Sequence, residues 1–153
     1  MREVPAKNYI ILSCLAVGVI VISLILSNVY RTTHKEEYTP VIKEVITEIK
    51  FEDLDNYLQE NLDVVLYIND SNVKSNRKLE KKVKKIITNN GISRYFVYIE
   101  KDKDLIDKYK LGSNTPIFIA YQNGIITEVL NKKNCTIEDV EEFLIRNKVI
   151  DSD

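Results

Sequence analysis

The residues of this 153-residue chain whose types could do chemistry are two cysteines, one histidine and a lysine-rich segment. Cys135 directly precedes Thr136 to Val149, a stretch patterned as a helix. The positive end of a helix lowers a thiol pKa and favours the nucleophilic thiolate. The ordinary alternative is a small residue packed beside Thr136. A lone thiol with no histidine near it is a poor catalyst, so that alternative is the expectation. Cys14 lies inside a long apolar run, which leaves no partner for a disulfide within one domain. His34 stands alone in a polar segment and reads as solvated, since metal sites need several ligands. The sequence carries no Gly-rich phosphate loop, metal-ligand cluster or Ser-His-Asp set. No metal and no cofactor are expected.

The lysine-rich segment holds Lys74, Arg77, Lys78, Lys81, Lys82, Lys84 and Lys85, with Glu80 as the one acid among them. A basic helix face can hold anionic lipid headgroups or an acidic partner, although such a face is more often simply solvated. With the domain outside a cell, the attraction would be to anionic envelope polymers or to another protein. The formal net charge of −1 gives no overall pull toward nucleic acid, and none is expected as a partner. Of the nine tyrosines, Tyr67, Tyr95, Tyr98 and Tyr121 fall in strand-like runs. They read as core or sheet-edge residues whose hydroxyls reach the surface.

The elements that must position these groups alternate along the chain. VIKEVITEI (41–49) reads as a strand after Pro40. In the next stretch Phe51, Leu54, Tyr57 and Leu58 form a single helical stripe. VVLYI (64–68) and YFVYI (95–99) are unbroken apolar runs, the pattern of strands buried on both faces. Between them Leu79, Val83, Ile86 and Ile87 recur at helical spacing, and Gly91 stops the helix. KDLIDKYKL (103–111) is a short helix. Residues 117–130 form a hairpin about Asn123-Gly124, a pair suited to positive φ in a tight turn. The last helix opens on Thr136 with Asp139 three residues later, a capping-box arrangement.

Residues 8–30 contain no Asp, Glu, Lys, Arg or His and are mostly apolar, the length a helix needs to cross a bilayer. A cleaved signal peptide would have a shorter core and small residues at its cleavage site, which LILSNVY does not offer. A lipoprotein signal would end at Cys14, yet most of the run follows that residue. The expected organisation is an N-terminal head over 1–8, a transmembrane helix over 9–29, a stalk over 30–43 and a folded domain over 44–150. Arg2 and Lys7 flank one side of the run, and Arg31, Lys35 and Lys43 the other, so positive charge does not decide the orientation. A head this short before a signal-anchor ordinarily stays in the cytoplasm. That would make the protein a single-pass cell-membrane protein with its soluble domain extracytoplasmic. The Ile, Lys and Asn content suits an AT-rich bacterial genome.

The order βαβαβαββα, with Thr115-Pro116 opening the hairpin, resembles the thioredoxin fold over about residues 44–149. VVLYIND resembles the strand that leads to that family's redox loop, YKLGSNTP the segment before its cis-proline, QNG its hairpin turn and VEEFLIRN its last helix. The resemblance implies an α/β three-layer sandwich, with Pro116 cis beside the site and Thr115 presenting its backbone to an extended peptide. It also exposes a departure. Where the family has Cys-x-x-Cys, this chain reads Asn72-Val73-Lys74-Ser75. A dithiol needs a low-pKa thiolate and a resolving thiol, and asparagine and serine supply neither. Asp70, Ser71, Asn72 or Ser75 would instead cap the helix that follows.

The resulting expectation is a membrane-tethered, redox-inactive domain, not an enzyme. It would bind a protein or peptide between the Asn72-Val73-Lys74-Ser75 loop and the Thr115-Pro116 ledge. Two alternatives stand beside it: a monothiol oxidoreductase or peroxidase-like enzyme using Cys135, and a structural small subunit of a membrane complex.

Overall fold

Side-chain alternation along one strand decides how the domain is layered. The computed structural model describes residues 6–33 and 38–151, which fall into two units divided ahead of Tyr38. In the second unit, strand β2 (Val64–Asn69) is buried on both faces. Val65 and Tyr67 point into one core, and Val64, Leu66 and Ile68 into the other. Each core is closed by helices. The first receives Val83 and Ile87 from α3 (Asn76–Asn89) and Val140, Phe143 and Leu144 from α5 (Ile137–Arg146). The second receives Leu54 from α2 (Leu54–Glu60) and Leu105 from α4 (Lys103–Tyr109). The result is a helix–sheet–helix sandwich, as the alternating sequence pattern predicts.

The sheet has the order β1-β3-β2-β4-β5, with β1 as Thr47–Glu48, β3 as Phe96–Glu100, β4 as Ile117–Gln122 and β5 as Ile125–Leu130. β1 and β2 run parallel to β3, while β4 is antiparallel to both β2 and β5. Asn123 and Gly124 join the last two strands with φ of 51° and 75°, the left-handed conformation that this residue pair accommodates.

The first strand is much shorter than the 41–49 expected. Val41–Glu44 form a 3₁₀ turn, and only Thr47 and Glu48 pair with β3. Ile42 and Ile46 are both buried in the first core. Their spacing of four is that of a helical turn, and it defeats the strand alternation. Residues 38–43, expected to belong to a stalk, are packed into the domain, with Ile42 wholly inaccessible.

The first unit is helix α1, Ala6–Thr33. It extends beyond the expected 9–29 span at both ends. Its segment Ser13–Tyr30 is long and apolar enough to cross a membrane, and none of that segment is buried. His34, together with Arg2 and Lys35, lies outside the described residues.

Candidate functional site

Three chain segments meet at the end of the sheet where β2 gives way to α3. The first is the loop from Asp70 to Ser75. The second is the Ser113–Pro116 segment, whose Thr115–Pro116 peptide bond is cis. The third is the turn after β5, which carries Lys133, Asn134 and Cys135. Together with Asn76, Leu79 and Lys101 they surround a recess of about 340 Å³. Of the residues singled out from sequence, Val73, Ser75, Thr115, Pro116 and Cys135 line it. Asn72 and Lys74 do not; both are exposed on the loop.

The loop does not cap α3 as expected. Ser75 occupies the N-cap position in a helical conformation and makes no side-chain capping bond. Asp70 Oδ1 accepts from the Asn72 backbone N–H at 3.0 Å and so closes a local turn ahead of the helix. Ser71 N–H donates instead to Glu100 Oε1 at 2.8 Å, which ties the loop to the end of β3.

What fixes the loop against the ledge is Asn76, a residue the sequence reading passed over. Its side chain is 6% exposed. Its Nδ2 donates to Asn69 Oδ1 at 2.8 Å and to Thr115 Oγ1 at 2.9 Å. The chain of bonds continues inward. Asn69 Nδ2 donates to Glu80 Oε2 at 3.4 Å, and Glu80 Oε1 accepts from the Ile42 backbone N–H at 3.1 Å and from the Tyr38 hydroxyl at 3.5 Å.

Glu80 corrects a second expectation. Read from sequence as the one acid on a solvated basic face, it is fully buried. Burial pushes its carboxyl above the usual range, against the opposing pull of the Ile42 N–H and the Tyr38 hydroxyl. Arg77, whose charge also pulls that carboxyl down, stacks its guanidinium 3.9 Å from the centre of the Tyr38 ring. A sequence signal for both residues existed. Asn76, Glu80, Val83 and Ile87 recur at spacings of four, three and four, and these are the four buried positions of α3.

The environment of Cys135 disfavours the thiolate. Burial, and then the carboxylate of Asp139, push its thiol up to about 11, and the opposing pull of Lys132 is smaller. The helix end therefore does not lower this thiol. Asp139 itself caps α5, accepting from the Thr136 N–H at 2.8 Å and lying 2.7 Å from Lys132 Nζ. Among the described residues no group of His, Cys, Asp and Glu side chains suits a metal ion. Tyr67 departs from the tyrosine expectation. Its hydroxyl is buried without a hydrogen-bond partner, and its ring centre lies 5.8 Å from that of Tyr98 and 4.9 Å from that of Phe118.

No family model matches the chain, and no curated protein is similar to it in sequence. Solved structures do resemble it. Thioredoxin f2 of Chlamydomonas reinhardtii superposes with a TM-score of 0.58 at 12% identity, over 69% of this chain and 98% of that one. Mitochondrial thioredoxin 3 of Saccharomyces cerevisiae gives 0.56 at 14% identity, over 69% and 98%. Fasciola hepatica thioredoxin gives 0.56 at 16% identity, over 67% and 99%. The second unit has the thioredoxin fold.

Proposed function

We propose that this chain is a membrane-tethered thioredoxin-fold domain that has given up dithiol chemistry and binds an extended protein or peptide segment in the recess beside Thr115. The observation that carries the reading is the Asn76 bridge. At the place where the fold's redox loop begins its helix, a buried amide clamps the loop to the Thr115 side chain at 2.9 Å. Asn72 and Ser75 take the positions where the resemblance expects cysteines, and neither can form or resolve a mixed disulfide. What is left is a preorganised, polar recess, and preorganisation lowers the cost of binding.

The tether is α1, with its head in the cytoplasm and the domain on the far side of the membrane. The Ser13–Tyr30 segment supports a single-pass anchor by its length and apolar character.

Binding of a partner solubilised from membranes, read with the full-length chain, tests the recess. Thr115→Trp fills it, and far-UV circular dichroism checks that the fold is intact. Loss of the partner with an unchanged spectrum is the expected result. Undiminished binding removes the recess from the account. A reading through Cys135 predicts a thiol pKa below the ordinary value of about 8.5, the opposite of the direction its surroundings impose.

A further inference from the structure

The charged residues that line the recess have one sign. Lys101 and Lys133 line it, and no acid does. Lys101 directly follows β3 and Lys133 lies in the turn after β5, so the two lysines come to the cavity from separate loops. Lys101 spends one donor on the Ser113 carbonyl at 2.8 Å. Among the described residues neither lysine has an ion-pair partner. Their neighbour Lys132 differs, because Asp139 engages it. The same sign continues from Lys74 in the loop along α3 to Lys78, Lys81, Lys82 and Lys85, all of them exposed and outside any of those pairs. The one acid in that helix, Glu80, is turned inward and committed to the Ile42 N–H, so it neutralises none of this face.

We infer that the segment taken up by the recess is acidic: an extended stretch of a partner protein with a carboxylate side chain seated between Lys101 and Lys133. The exposed lysines of α3 steer that partner toward the recess. This deepens the binding function proposed above and rests on it. The site is a recess lined by Ser113, Asn114 and Asn134 as well as the lysines, with donors arriving from different loops. Such a shape suits one entering side chain better than a flat layer of lipid headgroups. Pairs between exposed lysines and carboxylates add only modestly to affinity. Their larger effect is on partner choice and association rate.

The test uses full-length protein in phosphatidylcholine nanodiscs and a phage-displayed library of random linear peptides. Selection is run in parallel on wild type, Thr115→Trp and the Lys101→Gln/Lys133→Gln pair. Peptides specific to wild type should be enriched in Asp or Glu. A recovered peptide, labelled with fluorescein, should bind the double glutamine variant about tenfold more weakly, and Lys101→Arg/Lys133→Arg should restore most of the loss. Wild-type-specific peptides without acid enrichment, or with unchanged affinity for the glutamine pair, overturn the acidic preference and leave peptide binding standing. Failure to recover any peptide that distinguishes wild type from Thr115→Trp overturns the binding function as well. Acidic peptides that vanish when phosphatidylglycerol is added to the nanodiscs assign the lysines to lipid and overturn the inference.

Discussion

Helices α3 and α5 lie side by side on the same face of the sheet and follow opposite rules. α5 opens with a complete capping box, carries Glu138 and Asp139 in its first turn, and buries Val140, Phe143 and Leu144. Each local choice there favours the helix that is present. α3 has no side-chain cap and no acid in its first turn, and two of its four buried positions are Asn76 and Glu80. A helix that breaks these rules is less stable than its neighbour could make it, and such departures collect at functional sites. In this molecule they collect at the end of α3 that borders the recess. α5 packs through apolar residues, while α3 also buries the polar residues Asn76 and Glu80.

The contrast is broken most severely by emptying its apolar side. Phe143→Ala should cost about 4 kcal/mol in denaturant unfolding of the full chain, because it deletes a fully buried ring that packs on Phe118. A loss well under half of that would mean α5 is not the rigid partner. Next in size is Glu80→Ala, at about 3 kcal/mol, since it strands the buried Ile42 N–H and the Asn69 amide.

Glu80 and Asp139 should also respond to pH in opposite directions. The Glu80 carboxyl is raised by burial. Protonation therefore favours its folded environment, and stability is gained as pH falls through that raised value toward the ordinary range near 4.3. Asp139, held down to about 2 chiefly by Lys132, contributes stability that is present above the ordinary aspartate range and lost as pH falls through its folded value. Glu80→Gln should erase the first trend and leave the second. Unfolding midpoints followed from about pH 8 down to about 2, where Asp139 titrates, would show both trends. An unaltered profile would mean Glu80 is not buried as an acid.

The smallest effect sharpens the comparison at the two helix starts. Thr136→Ala should cost about 1 kcal/mol by removing a working cap. Ser75→Ala, at a position with no capping bond, should change stability by less than about 0.5 kcal/mol. Equal losses at the two positions would erase the asymmetry.

The layered fold was legible because Val64–Ile68 and the hairpin around Asn123-Gly124 carry strong local signals. Thr136 and Asp139 were equally plain, since a capping box is a short-range pattern. The first strand misled because Val41–Ile49 is rich in β-branched residues, while Ile42 and Ile46 both turn into the first core and the Ile42 N–H is held by Glu80. The recess was half legible. Thr115-Pro116 and the Asn72–Ser75 loop drew attention through the fold they resemble. Asn76 and Glu80 did not, because polar residues on a lysine-rich helix look solvated until the buried stripe is counted by position. Lys101 and Lys133 sit in ordinary charged turns, and only the fold brings them to one cavity.

The most direct test of the central claim is a pull-down from native membranes with the intact chain, run beside Cys135→Ser, with and without reductant. The account predicts the same partner in the same amount under all conditions. Recovery that requires Cys135 and is released by reductant would contradict it, and would hand the function to a single thiol.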